Sequence, residues 1–189
     1  MNDTDMSYEL ARHGVLIHRE KLAIGAGGNT SIRDGDFIII KKKGTDMSSG
    51  NPDDYMRVSF MTAKRGLSSE MSSETPLHLA CYAANADIMA VVHVHSPYSI
   101  AAATRTDLLK SPSYEFDCVI GENVPVVEYI SPGSQDLGSA VSDKITGGAN
   151  TVLLKRHGAV ATGENIQEAY LRALALERGC KTFLHSDQT

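Results

Sequence analysis

The stretch IMAVVHVHS, residues 88–96, is the most informative segment for the fold. Its three valines and Ile88 predict a strand. Residues i and i+2 of a strand project from the same face, so His93 and His95 are expected side by side. Two adjacent imidazoles can bind a transition metal, but two histidines at a strand end are often only polar residues. The segment therefore predicts a strand, and a metal site only if a further ligand is found.

Outside this segment, helical and strand-like patterns alternate along the chain. Asp34-Gly35, between two β-rich runs, predicts a tight hairpin. Residues 74–85 have apolar residues at helical spacing, and Pro76 is tolerated in the first turn. The remaining predictions are helices at 7–22, 96–105, within 131–145 and at 164–184, and strands at 56–60, 118–120, 124–129 and 151–163, the last of them one strand or two. The alternation predicts one domain over residues 1–189, α/β or α+β, with helices covering a sheet of undetermined strand order.

The bulk composition limits the class of protein. The chain has 189 residues, with 42% hydrophobic and 22% charged residues, as is typical of a soluble globular protein. A formal net charge of −5 argues against nucleic acid as a partner. No apolar run approaches the roughly 20 residues that span a bilayer, and the acidic N-terminus lacks the features of a secretory signal. The odd number and wide spacing of Cys81, Cys118 and Cys180 predict a reducing cytoplasm without disulfides, with the first and last in the core.

His157 strengthens the interpretation of the two strand histidines as metal ligands. It follows the apolar run TVLLKR and precedes Gly158. Three histidines on two strands would leave one coordination position open, as catalytic zinc sites do. His78 comes one helical turn after Glu74, so it is expected either to line the site or to pack in the core. The remaining histidines, on the terminal helices, are predicted to be exposed: His13, His18 and His185.

Two short segments have the composition of an anion-binding site. GAGGNTSIR, residues 25–33, combines glycines, whose backbone N–H groups can converge on an anion, with short polar side chains. It lacks the GK[ST] of a P-loop, and a strand follows it instead of a helix, so a simple tight turn is the alternative. In KKKG, residues 41–44, Lys43 beside Gly44 could reach a phosphate, although a lysine run on a hairpin is usually only a solvated face.

Residues 66–82, GLSSEMSSETPLHLACY, contain the triplet Ser-Ser-Glu twice. The second triplet immediately precedes the predicted helix, which places Ser72 or Ser73 at its N-cap and Glu74 in its first turn. A helix N-terminus also favours an anion. The first triplet, residues 68–70, is predicted to be a solvated segment leading to the helix.

The motifs GNTS, KG, SSE, HVHS and HG occur in this order. Together they resemble the class II aldolase/adducin family, and within it most closely the L-fuculose-phosphate aldolases, over about residues 8–180. The resemblance implies a three-layer α/β/α sandwich around a mainly antiparallel sheet. It also implies a fourfold-symmetric homotetramer with active sites between subunits, acting on a phosphorylated sugar.

The resemblance also implies roles for individual residues. His93, His95 and His157 match three zinc ligands, and Glu74 matches the catalytic acid/base. Tyr114 matches a tyrosine that reaches into a neighbouring subunit's site. The positions that match a substrate-phosphate site are Gly28, Asn29, Gly44, Ser72 and Ser73, to which the composition adds Lys43. The implied reaction cleaves a ketose 1-phosphate, such as fuculose 1-phosphate, to dihydroxyacetone phosphate and an aldehyde through a metal-stabilised enediolate.

The sequence departs from the family pattern at a few positions, and alternatives stay open. Ala26 replaces a frequent threonine, KKKG replaces TPTG or KPSG, and a C-terminal tail bearing a second tyrosine is expected to be missing. A methylthioribulose-1-phosphate dehydratase is not excluded. An L-ribulose-5-phosphate 4-epimerase ranks lower because such enzymes typically carry aspartate in place of Glu74. A non-catalytic, adducin-like binding domain or a structural zinc is disfavoured by three intact histidines, which also accept cobalt, manganese or iron.

Overall fold

The computed structural model describes residues 3–66 and 68–186. Its centre is an eight-stranded sheet with the order β3-β2-β1-β4-β8-β7-β6-β5, antiparallel at every pairing except the parallel β6–β7 pair. The strands are β1 Asn29–Asp34, β2 Phe37–Lys41, β3 Tyr55–Ser59, β4 Ala90–Val94, β5 Leu108–Lys110, β6 Asn123–Val127, β7 Thr151–Leu154 and β8 Gly158–Gly163. The helices are α1 Asp3–Arg19, α2 Phe60–Arg65, α3 Thr75–Ala84, α4 Pro97–Ala103, α5 Tyr114–Val119, α6 Gln135–Thr146 and α7 Ile166–Ser186, with two short 3-10 helices at Met47–Ser49 and Pro52–Asp54.

The sheet has a helical layer on each face, and β4 contributes to both. Ala90, Val92 and Val94 pack into a core formed with α1, α4, α5 and α7. Val91 packs into a second core formed with α2, α3 and α6. Because side chains alternate along a strand, His93 projects toward the face of Val91. The predicted α/β/α sandwich with a mainly antiparallel sheet is confirmed.

Most of the predicted elements are present, including the hairpin after Asp34 and the separation of residues 151–163 into two strands. The predicted strand at 118–120 is wrong, because this segment belongs largely to α5. Ser113 caps that helix by accepting a hydrogen bond at Oγ from the N–H of Phe116, 3.3 Å away. Phe116 occupies the space beside Gly179 of α7, where a Cβ would come within 2.3 Å of its ring. Helix α2 and strand β5 were not expected from the sequence.

The prediction that His13 is exposed is wrong. It is fully buried on α1, on the same face as Leu10 and Ile17, and its Nε2 lies 3.1 Å from the side-chain oxygen of Gln167 on α7. The other two terminal histidines, His18 and His185, are exposed as predicted, and Cys81 and Cys180 are buried as predicted. Among the described residues, no helix is long and apolar enough to cross a membrane.

Candidate metal and anion site

Three histidines meet at one end of the central strands. His93 is near the end of β4, His95 directly follows that strand, and His157 lies in the tight turn between β7 and β8. Each offers a ring nitrogen, and these atoms all lie within 4.8 Å of one another. The Nε2 atoms of His93 and His95 are 3.0 Å apart. The sequence predicted three histidines on two strands; the third occupies a turn, but the cluster forms.

The backbone around His157 explains why a glycine follows it. Arg156 adopts a left-handed conformation with φ of 60°, which turns the chain between the two strands. Gly158 then passes so close to β4 that a Cβ at this position would lie 2.0 Å from the carbonyl oxygen of Val94. No side chain fits there. The HG motif therefore reflects a steric requirement that brings His157 to the end of β4.

The glycine-rich loop closes over the same histidines. Strand β1 pairs with β4 so that Asn29 lies opposite His93. A Cβ on Gly28, whose φ is 68°, would lie 2.8 Å from the carbonyl oxygen of His93. A Cβ on Gly27 would lie 3.3 Å from Nδ1 of His95. The loop can approach the histidines this closely only because Gly27 and Gly28 lack side chains.

The three imidazoles are held neutral. Burial, followed by the neighbouring His95 and His157, lowers the pKa of His93 well below its ordinary value. Burial also lowers the pKa of His95, and that of His157 to about 4. Nδ1 of His93 donates to the carbonyl of Ala159 at 3.0 Å, which leaves Nε2 with a free lone pair. Nδ1 of His157 is buried with no hydrogen-bond partner among the described residues. This donor set fits a transition-metal ion.

Glu74 lies in the same cleft, in an unusual environment for a carboxylate. It is 5% exposed, and its Oε2 has no hydrogen-bond partner in the described part of the chain. Burial raises the pKa of Glu74, partly offset by a hydrogen bond from the N–H of Gly133. Glu74 occupies the N-cap of α3, so its predicted place in the first turn is wrong by one residue. Ser72, two residues before, accepts the Glu74 N–H at 3.3 Å.

The cleft itself has a volume of about 300 Å³. His95, His157 and Glu74 line it, and His93 is completely buried beside them. All six residues predicted for the substrate phosphate also line it: Gly28, Asn29, Lys43, Gly44, Ser72 and Ser73. The structure therefore gathers the predicted metal ligands, carboxylate and anion-binding residues around one cleft.

Lys41 is a lining residue that the sequence analysis missed in favour of Lys43. It is 2% exposed, and its ammonium donates to the carbonyls of Thr45 at 2.6 Å and Ala26 at 3.3 Å. Burial lowers its pKa, although the charges of Asp46 and Asp54 oppose that effect. No carboxylate of the described residues lies within 4.0 Å of it. The apolar run that precedes it in β2 was the available signal that this lysine is buried.

A second missed feature is a line of buried hydrogen bonds behind the cleft. Ser31 Oγ lies 2.7 Å from the Tyr82 hydroxyl and 2.7 Å from Nδ1 of His78. Nε2 of His78 contacts the side-chain oxygen of Asn29, whose Nδ2 donates to Ser72 Oγ at 3.2 Å. Burial lowers the pKa of His78 to about 3, so its imidazole is neutral. His78 therefore packs in the core and also contacts a residue that lines the site.

Tyr114 and the later Tyr129 lie outside the cleft of their own chain. Tyr114 begins α5 and is 83% exposed. Tyr129 is half exposed beneath the guanidinium of Arg156, which lies 4.6 Å from the ring centroid. The structure does not bring Tyr114 to the histidine cluster of its own chain.

Comparison with known proteins assigns the family. The family model described as class II aldolase and adducin N-terminal domain matches residues 8–184. The chain belongs to this family. An L-fuculose phosphate aldolase of Methanococcus maripaludis is 33% identical over 162 residues, covering 86% of this chain and 87% of that protein. A 5-deoxy-D-ribulose 1-phosphate aldolase of Bacillus thuringiensis is 30% identical over 171 residues, covering 89% of this chain and 79% of that one.

Solved structures of the class II aldolase family agree with the fold. The L-fuculose-1-phosphate aldolase of Thermus thermophilus superposes with a TM-score of 0.88, covering 97% of this chain and 95% of that one. The two sequences are 21% identical, so this likeness concerns the fold. These two curated relatives are sugar-phosphate aldolases by name, which supports an aldolase or lyase for this member of the family.

Proposed function

We propose that this chain is a zinc-dependent class II aldolase that cleaves a ketose 1-phosphate, of the fuculose 1-phosphate type, to dihydroxyacetone phosphate and an aldehyde. The observation that carries the proposal is one cleft that combines three neutral histidines with a buried carboxylate that lacks a full set of partners. A structural zinc site has four protein ligands, whereas these three histidines would leave one coordination position open beside the cleft. The names of the Methanococcus maripaludis and Bacillus thuringiensis relatives support the same class of reaction and substrate.

The residues divide the chemistry between them. When bound, Zn²⁺ supplies a Lewis acid for the negative charge that develops as a carbon–carbon bond beside a carbonyl breaks. His93, His95 and His157 would hold the ion as neutral ligands, which would leave its positive charge uncancelled. Glu74 takes a proton from the substrate hydroxyl and returns one to the other product. Its raised pKa suits a carboxyl that must both accept and donate a proton near neutral pH.

The other end of the cleft is proposed to hold the substrate phosphate. The backbone of the glycine-rich loop and the side chains of Asn29 and Ser72 offer hydrogen-bond donors there. Lys41 adds a buried positive charge without a carboxylate within 4.0 Å among the described residues, and a phosphate dianion would compensate it. Binding energy from this end orients the sugar without touching the reacting bond.

Assembly and the role of Tyr114 also belong to the proposal. Tyr114 is 83% exposed and lies outside its own cleft, so it is free to contact a second copy. A homotetramer with active sites between subunits would give it access to a neighbouring site. Sedimentation analysis, together with activity of Tyr114→Phe, tests this part of the proposal separately.

The test of the function is metal analysis combined with a panel of ketose 1-phosphates, with release of dihydroxyacetone phosphate as the readout. The proposal expects about one equivalent of transition metal per chain and rapid release from at least one member of the panel. The alternative that the sequence leaves open is a methylthioribulose-1-phosphate dehydratase. Loss of water from methylthioribulose 1-phosphate, with dihydroxyacetone phosphate released from no panel member, would replace the aldolase assignment. Interconversion of L-ribulose 5-phosphate and its 4-epimer would indicate the epimerase.

A further inference from the structure

The buried line of hydrogen bonds behind the cleft has an inner half that the proposed chemistry does not use. Tyr82, Ser31 and His78 are each 2% exposed or less, so water does not reach them. The line continues outward through Asn29 to Ser72, which both line the cleft. A buried polar network is costly unless each donor meets an acceptor. Each donor along the line must therefore face an acceptor, which restricts the direction of every hydrogen bond in it.

The donors of this line run in one direction, from the interior to the cleft. Ser31 Oγ is the acceptor within reach of the Tyr82 hydroxyl hydrogen in the described part of the chain, so Tyr82 donates to it. Ser31 in turn donates to Nδ1 of His78. A neutral imidazole with an acceptor nitrogen at Nδ1 carries its hydrogen on Nε2, which donates to the side-chain oxygen of Asn29. The amide of Asn29 is thereby held with its nitrogen toward Ser72.

The outer end of the line leaves two hydrogens directed away from it. Ser72 Oγ accepts from Asn29 Nδ2 at 3.2 Å and from the Glu74 N–H at 3.3 Å. Both of its lone pairs are then occupied, so its own hydrogen is left to donate elsewhere. Asn29 has one further Nδ2 hydrogen. Both residues line the cleft, where these hydrogens would meet an anionic oxygen.

We propose that His78 is a positioning residue, which fixes the Asn29 amide so that Asn29 and Ser72 both present hydrogen-bond donors to a phosphate ester. Without the N–H of His78, the amide is free to turn over and present its oxygen, which would repel the anion. The inference rests on the proposed function in that it takes the bound anion to be a phosphate. It assigns His78 no contact with substrate or metal.

Two variants of nearly equal size separate positioning from packing. His78→Met removes the donor, whereas His78→Gln retains an amide nitrogen near the position of Nε2. In zinc-loaded protein, His78→Met should weaken binding of inorganic phosphate about 10-fold or more, since it disturbs hydrogen bonds to a charged group. KM for the ketose 1-phosphate should rise in parallel, with kcat and metal affinity changed far less. His78→Gln should stay within about threefold of wild type on every measure. The exposed His18→Gln serves as the unperturbed control.

The outcomes separate the positioning role of His78 from the existence of the phosphate site. Equal losses in His78→Met and His78→Gln that follow their melting temperatures would mean that His78 only packs, and unchanged phosphate affinity in His78→Met would also overturn its role. Wild-type protein that releases dihydroxyacetone phosphate but does not bind phosphate would overturn the phosphate site itself, and the inference with it.

If His78→Met does not fold, Ser31→Ala provides the test. This variant removes the hydroxyl that donates to Nδ1 of His78, so the imidazole is free to carry its hydrogen on Nδ1 instead of Nε2. Its phosphate affinity should fall about threefold or more, and an unchanged value would contradict the inference.

Discussion

The two Ser-Ser-Glu triplets of this chain have the same composition but different surroundings. The first, Ser68-Ser69-Glu70, is exposed throughout. In the second, Ser72 and Glu74 are each 5% exposed and line the cleft beside the histidine cluster. Between the triplets, Met71 is buried and pairs with Lys42 of the KKKG segment, and after it the chain enters the cleft.

The difference shows that position, and not residue type, decides what a carboxylate can do. An exposed carboxylate is solvated and ionised, and it only adds charge to the surface. Burial raises the pKa of a carboxyl group, so its charged form is stable only beside a cation or a hydrogen-bond donor. The first triplet contributes through its backbone, since the Glu70 carbonyl accepts the N–H of Lys43 at 2.9 Å. Each buried residue of the second triplet can therefore be compared with its exposed counterpart in the first.

The largest contrast is expected between Glu74→Gln and Glu70→Gln. Glu74→Gln removes the proposed proton carrier while keeping its shape, so kcat should fall about 100-fold or more, with metal content unchanged. Glu70→Gln should leave both values nearly at the wild-type level. Steady-state kinetics and metal analysis of the purified variants check the pair. Comparable losses in the two variants would remove the distinction between the triplets, and full turnover by Glu74→Gln would exclude that residue from the reaction.

A smaller contrast is expected between Ser72→Ala and Ser68→Ala. Ser72 accepts hydrogen bonds from Asn29 and Glu74, and its hydroxyl faces the cleft. Its loss should raise KM for the phosphorylated substrate about 10-fold, because one donor to a charged group is removed and another is misplaced, with a smaller effect on kcat. Ser68→Ala should leave KM unchanged. A wild-type KM in Ser72→Ala would argue against a phosphate at this end of the cleft.

The smallest contrast concerns stability and its pH dependence in metal-free protein. Burial raises the pKa of Glu74 in the folded state above its value in the unfolded chain. The folded state therefore loses stability relative to the unfolded state as pH rises above the unfolded pKa. Glu74→Gln cannot ionise, so its melting temperature should exceed that of wild type at pH 8, and the gain should vanish toward pH 4.

The exposed counterpart supplies the control for that measurement. Glu70→Gln changes a solvated carboxylate, so its melting temperature should follow the wild-type curve at every pH. Thermal unfolding at several pH values checks both variants. A gain for Glu74→Gln that persists unchanged at pH 4 would point to packing instead of ionisation.

The sequence predicted the clustering of the three histidines well because the elements that hold them obey local rules. The i, i+2 spacing of His93 and His95 has a fixed consequence in a strand, and the glycine after His157 meets a steric demand at Val94. The sheet's antiparallel character and the two helical layers were also predicted, through resemblance to the family. Asn29 lies beside His93 because β1 pairs with β4. This proximity could not be predicted, since strand order does not follow from local sequence patterns.

The predictions that were wrong or missed depend on long-range packing. Cys118 belongs to a helix because Phe116 packs against Gly179, far along the chain. His13 is buried because α7 covers it, although its helical spacing from Leu10 and Ile17 was a signal that could have been used. Lys41 was missed in favour of Lys43, although Lys41 directly follows the apolar run of β2 and is buried with it.

Release of dihydroxyacetone phosphate, followed through chelation and restoration of metal, tests the central claim most directly. The substrate is L-fuculose 1-phosphate, or whichever ketose 1-phosphate of the panel is cleaved fastest. A chelator should abolish release, and added Zn²⁺ should restore it. In His157→Ala, which removes one of the three ligands, the same addition should restore little. Release that continues at the wild-type rate after the metal has been removed would contradict the account.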